Sequence, residues 1–293
     1  MLFYSFRMNA PRLTWTDHHA CSCWQLVRDA YHAPAAESPL TEPLARLRAA
    51  FAEEHVAAEV FLDHVVPLSF STANQRELAE RALVKTIGRA ETGMRLNRFH
   101  GLVIDIMAAA DKAVPPHAKP SPGFLQQQWN QRGDGLLACI VNFSEPGILA
   151  DEADIVRIDP DLPIVGRGYL PYNLVCIADV PGDVSAELPE VVRLAWLIAL
   201  LNLDLPRYAE QVRLNPLMTV VALAMLPLAL QASRLLELGG GDEATIRQAI
   251  ASWLPIEDDR DRKTETLLQW WDVYQSTRPH FAAGLSALDQ LLA

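Results

Sequence analysis

Three side chains able to bind a metal recur at a spacing of four: His55, Glu59 and Asp63. If residues 43 to 65 form one helix, a step of about 100° per residue from Leu44 puts His55 near 20°, Glu59 near 60° and Asp63 near 100°. Leu44, Leu47, Phe51, Ala58, Phe61, Leu62 and Val65 mark the apolar face of that helix. The three polar groups then form a ladder along its edge. His100 holds the same border position on a later helix, whose stripe is Phe99, Leu102, Val103, Ile106, Met107 and Ala110. Helix bundles hold metals with inward-facing imidazoles and carboxylates from facing helices. His55, Glu59 and His100 are therefore the candidate metal ligands. The competing reading of His55 and Glu59 is an ordinary hydrogen bond or ion pair on a helix flank. The Glu-x-x-His pattern of dimetal bundles is missing, its nearest relative being Asp29-Ala30-Tyr31-His32.

A smaller constellation precedes it. The first helix, about Thr16 to Tyr31, carries Asp17, His18, His19 and Asp29, and its segment His18-His19-Ala20-Cys21-Ser22-Cys23 puts His19 and Cys23 at i, i+4. A zinc site built on these two needs two further ligands from elsewhere in the chain. A catalytic Cys–His pair through Cys21 or Cys23 needs a partner that sequence order does not reveal.

Other signatures are missing. The chain has no G-x-x-x-x-G-K-[ST], G-x-G-x-x-G, H-E-x-x-H or G-x-S-x-G pattern. Gly166-Arg167-Gly168 holds only two glycines of a dinucleotide loop, with no helix behind it. Glu257 to Lys263 lacks the glycine and closing glutamate of a calcium loop and reads as a solvated turn. Arg132-Gly133-Asp134-Gly135 reads as a turn.

The elements that must position these groups are mostly helical. Thr41 and Pro43 open the second helix, which ends near Pro67. Thr72-Ala73-Asn74-Gln75 opens a third with a capping-box pattern, followed by Leu78, Ala82, Leu83 and Ile87. The short connections predict an N-terminal up-down helix bundle over residues 10–113. A Pro-rich connection over 114–135 follows, then a mixed segment over 136–293 that can pack with the bundle as one domain. Short runs at Leu136–Phe143, Ile155–Ile158, Ile164-Val165 and Leu174–Val180 read as strands. Further helices are expected near 187–204, 215–238, 242–253, 263–277 and 280–292, with Gly239-Gly240-Gly241 stopping one and Asp242 capping the next. The fold class is α+β, predominantly α-helical: bundle, small β-containing middle segment and C-terminal helical layer.

Composition narrows the function. Half of the 293 residues are apolar and 21% are charged, the balance of a folded globular chain. A net charge of −11 with no Lys/Arg run disfavours nucleic acid and anionic membranes. The four cysteines form no C-x-x-C pair, which suits reduced thiols in a cytoplasm. The run at Met1 to Met8 is too short for a signal-peptide core. Residues 216–232 are apolar but fall short of the ~20 residues of a bilayer span and are interrupted by Pro227; Val191 to Leu203 is shorter and carries Arg193. Both read as buried central helices. Trp270-Trp271 places one large ring at a domain or subunit contact or sets both on a wide apolar face. With no catalytic signature, the leading expectation is a cytoplasmic, non-catalytic interaction or scaffold protein, its partner another protein or a second copy of the chain. The alternative is a metal- or small-molecule-binding helical enzyme using the His55/Glu59 face.

Overall fold

The computed structural model describes residues 10–32, 38–114, 123–158, 166–179, 188–254 and 259–293. The Met1–Met8 run, most of the Pro-rich stretch after Val114, Ile164-Val165 and Glu257-Asp258 lie outside them. Among the described residues the chain is predominantly helical with one small sheet, the α+β class expected from its patterning.

The elements, in order, are β1 (Arg12–Asp17), α1 (His19–His32), α2 (Thr41–Glu53), α3 (Ala58–Ser71), α4 (Gln75–Ile87), α5 (Arg89–Ala113) and α6 (Phe124–Phe143). Then come β2 (Glu152–Ile158), β3 (Arg167–Tyr169), a 3-10 turn at Leu170–Tyr172, β4 (Leu174–Ala178), α7 (Glu190–Leu200) and α8 (Pro206–Ala209). The chain finishes with α9 (Leu217–Leu235), α10 (Glu243–Trp253), α11 (Arg260–Thr277) and α12 (Phe281–Leu292).

The sheet runs β1-β2-β4-β3, with β1, β2 and β4 parallel and β3 antiparallel to β4. It is covered on both faces. Val156, Ile158, Tyr169, Leu174 and Cys176 join the core made by α1 to α5. Ile155, Val175 and Ile177 join the core made by the later helices, with Leu13 and Trp15 packed against it. Burial on both faces explains why β4 reads as a continuous apolar run, as parallel strands do. Leu217–Leu235 is long and apolar enough to cross a bilayer. Here it is the axis of the C-terminal layer: α6, α7, α10, α11 and α12 all pack on it.

Several expectations need correction. Residues 43–65 are two helices, not one. α2 stops at Glu53, where Val56 N–H donates to Phe51 O (2.9 Å) and His55 N–H to Ala52 O (3.4 Å). This pair of bonds is a Schellman stop, and His55 takes its left-handed position at φ 53°. Left-handed backbone is strained for a residue with a Cβ. His55→Gly is therefore expected to raise stability by about 0.5 kcal/mol, read from a denaturant midpoint; a fall would mean that the imidazole makes a contact worth more than the strain.

Pro67 sits inside α3, which continues to Ser71 despite the lost amide. The cap of α4 is Asn74, whose carbonyl accepts from Arg76 and Glu77 N–H; Thr72 instead accepts from Arg81. Residues 132–143 are neither turn nor strand but the body of α6. The indole of Trp129, one turn earlier, lies over Gly133, and a Cβ there would overlap that ring. β1, which sequence reading merged into a loop and the first helix, is an edge strand of the sheet. Trp270 and Trp271 are both buried, at 3% and 5% exposure. Trp270 stacks on Tyr274 and donates to Gly284 O (2.9 Å), so neither ring marks a contact surface.

Candidate metal centre

The ladder does not assemble. His55 is exposed in the turn between α2 and α3. Glu59 is exposed on the first turn of α3, with His32 Nε2 3.3 Å from its carboxylate. Asp63 faces the sheet, where its Oδ1 accepts from Arg28 Nε (3.0 Å) and from Arg167 Nη2 (2.9 Å), tying α1, α3 and β3 together. His100 is half-buried on α5. The break at residues 54–57 rotates the two helix faces apart, so a 3.6-residue count across it has no meaning.

The smaller constellation does assemble. Asp17 ends β1, and α1 begins at once. His18 stands at its N-terminus, with Nδ1 accepting from Cys21 N–H (3.3 Å), as an N-cap side chain does. Burial first, and then neighbouring His19, lowers the pKa of His18, which keeps that acceptor unprotonated. One turn of α1 stacks His19 over Cys23, with Nε2 3.5 Å from Sγ. α5 packs against α1 and presents Asp111 from its last turns, Oδ1 2.7 Å from the same Nε2. Among the described residues, His19, Cys23 and Asp111 are the group of three potential ligands whose donor atoms all lie within 4.8 Å of one another.

The geometry can be tested against a tetrahedral ion. With Zn–S of about 2.3 Å and Zn–N of about 2.05 Å, tetrahedral angles put sulfur and nitrogen ~3.6 Å apart. The observed 3.5 Å meets that without movement. An imidazole nitrogen and a carboxylate oxygen on the same ion would stand ~3.4 Å apart, against 2.7 Å here. Asp111 would retreat by roughly 0.7 Å, which an exposed side chain at the end of a helix does easily. Cys23 forms the buried floor, His19 is half-buried and Asp111, 68% exposed, forms the rim. Burial, and then the Asp111 carboxylate, push the Cys23 thiol up to about 12. It is a protonated thiol at neutral pH and becomes a ligand only when a cation takes the proton's place.

Sequence reading found His19 and Cys23 by their spacing and missed Asp111. Nothing local marks that aspartate: it lies 92 residues on, and only the packing of α1 on α5 brings it close. His100 is on the same side of α5 but three turns, about 16 Å, away.

A second polar cluster lies at the carboxyl ends of the parallel strands. Arg157, buried at the end of β2, donates from Nη2 to Asp17 (2.7 Å), with Nη1 3.8 Å from Asp179 beyond β4. Asp179 in turn accepts from Leu125 N–H (2.9 Å) at the start of α6. The Leu125–Asp179 bond fastens the start of α6 to this charge cluster at the sheet. Comparison with known protein families, characterised proteins and solved structures finds no match.

Proposed function

We propose that this protein binds a zinc-like divalent cation at His19, Cys23 and Asp111. The observation that carries this reading is the convergence of an imidazole, a thiol and a carboxylate, with a sulfur–nitrogen separation already fit for a tetrahedral ion. Thiolate and imidazole donors together favour zinc over magnesium or calcium. Three protein ligands leave one of zinc's four positions for water or a substrate atom, the arrangement of sites that do chemistry rather than only staple a fold. All four cysteines are free thiols, which supports a reducing compartment such as the cytoplasm. The interaction or scaffold reading draws on exposed apolar side chains such as Met94, Phe124, Leu235 and Val273. These belong to four different helices, and scattered single exposures are normal on a soluble surface.

The test is metal analysis of untagged protein prepared without chelator, with zinc-dependent thermal shifts. About one equivalent of zinc is expected, lost in Cys23→Ser and in Asp111→Asn and kept in His55→Ala. Asp111 is exposed, so its variant folds even if the Cys23 variant does not. Cobalt substitution should give a thiolate charge-transfer band. Because the thiol gives up its proton, affinity should rise about tenfold per pH unit from this group alone across neutral pH. No metal in the wild-type protein and no zinc-dependent shift would sink the proposal.

A further inference from the structure

Arg193 is the one basic residue in α7, among Val191, Val192, Leu194, Ala195, Trp196 and their apolar neighbours, and it is only 8% exposed. Side chains on a helix lean toward its N-terminus, and Arg193 does so: Nη1 reaches back over the first turn to Glu190, 3.4 Å and 3.5 Å from the two carboxylate oxygens. Both contacts are long for a charge-assisted bond, which runs nearer 2.7–2.9 Å. The other edge of the guanidinium, Nε and Nη2, is sealed from solvent and has no hydrogen-bond partner among the described residues. A buried, unsatisfied donor costs about 1–3 kcal/mol, and more when charged. Folded proteins rarely keep one without a role such as holding an ion.

That free edge is a two-pronged donor. Nε–H and Nη2–H are parallel and spaced to meet two oxygens of one carboxylate or phosphate. The guanidinium that carries it is held at the first turn, by Nη1 on Glu190, of an eleven-residue helix whose N-cap position is Pro189, with no side-chain cap. Val192 N–H and Arg193 N–H donate to Pro189 O (3.0 and 3.3 Å), the amides ahead of them have no carbonyl within the helix to bond, and the helix dipole favours negative charge there. α7 also packs on β3 and β4. It is the helix that follows β4, so its first turn belongs to the carboxyl end of the parallel strands, where α/β sheets take their ligands.

We infer that Arg193 and the first turn of α7 form a subsite for the oxyanion group, phosphate or carboxylate, of a small-molecule ligand. Glu190 is its placeholder. Its carboxylate is 22% exposed and held by long contacts, so it can turn out to solvent when the oxyanion takes the Nε–Nη2 edge. This inference is independent of the metal reading and uses none of its residues.

The experiment is thermal denaturation of the full chain titrated with inorganic phosphate and, separately, with acetate, each against chloride at equal ionic strength. A saturable rise in Tm with phosphate, with acetate or with both is expected, and chloride should give none. The anion that acts identifies the chemistry of the ligand. Arg193→Gln should abolish the rise, and the variant is expected to fold, because Glu190, 22% exposed and held only by long contacts, can turn its carboxylate to solvent once the guanidinium is gone. Glu190→Gln should lower the Kd for the effective anion about threefold or more by removing the competitor. No saturable shift with either anion, or the same shift in Arg193→Gln, would overturn the inference.

Discussion

Asp289→Ala is expected to cost about 3–5 kcal/mol, as does breaking other buried charged networks. This carboxylate on α12 is 2% exposed. It accepts from three successive main-chain amides, Arg213 N–H (2.7 Å), Leu214 N–H (3.0 Å) and Asn215 N–H (3.0 Å), and from the Asn215 side-chain amide (2.9 Å). Three consecutive amides turned inward make an anion nest at the entry to α9, and Asp289 is the anion that fills it. Each amide left unpaired costs about 1–3 kcal/mol. The site borders a cleft of ≈ 420 Å³ lined by Glu210, Gln211, Leu214, Ser286 and Gln290, so solvent can reach a vacated nest. Formate should therefore restore part of the stability of the alanine variant where chloride at the same ionic strength does not.

The pH dependence has a definite sign. Burial alone would raise the pKa of Asp289. The donors from Arg213, Leu214 and Asn215 outweigh it and hold the pKa below the ordinary 3.8. The carboxylate's contribution is therefore fully present above the unfolded-state value and is lost as pH falls through the folded one. The gap between wild type and Asp289→Ala should be constant from neutral pH to about pH 5 and narrow below about 3.9. A gap under 1 kcal/mol, or one unchanged at pH 3, would show that the nest is satisfied some other way.

The second large effect concerns Arg157. Its guanidinium lies between Asp17 of β1 and Asp179 after β4, both mostly buried. Arg157→Met keeps the apolar stem and removes the charge. It should cost about 3 kcal/mol, because two carboxylates are left facing each other without a cation. Adding Asp179→Asn should then cost less than the two single changes summed. A coupling of about 1–3 kcal/mol from the double-mutant cycle, measured by chemical denaturation, is the expected result. Strict additivity would mean that the distances overstate the interaction.

These two clusters show where sequence reading reaches its limit. Periodicity located α7 and α9 to α12 within a few residues but missed the single turn α8, and its runs Ile155–Ile158 and Leu174–Val180 overlap β2 and β4. Their patterns are local: a buried face repeats along the element that carries it. It failed at α2 and α3 because the Schellman stop uses His55 where glycine is usual, which hid the break and produced a ladder that does not exist. It failed at α6 because Gly133 and Gly135, turn residues by habit, lie within the helix, the former beneath Trp129. In the candidate site, His19 and Cys23 were visible as an i, i+4 pair, whereas Asp111 enters only through tertiary packing. Arg193 was legible as one charge in an apolar run, but its unsatisfied edge was not. β1 offered only Leu13 and Trp15 in alternation, too little to mark a strand whose partner is far along the chain.

That partner bears on how the protein is made. Arg12 of β1 pairs with Glu152 of β2, 140 residues later. At a synthesis rate of about 5–20 residues per second, the first strand waits roughly 7–28 s for the strand that receives it. During that interval α1 to α5 have emerged and can pack on one another, but the face that will cover Val156 and Ile158 has nothing to cover. The nascent chain therefore carries an exposed apolar layer and an unpaired strand, the two features that holding chaperones bind. Completion of the sheet, rather than formation of any helix, is the step at which the emerging chain ceases to need such protection.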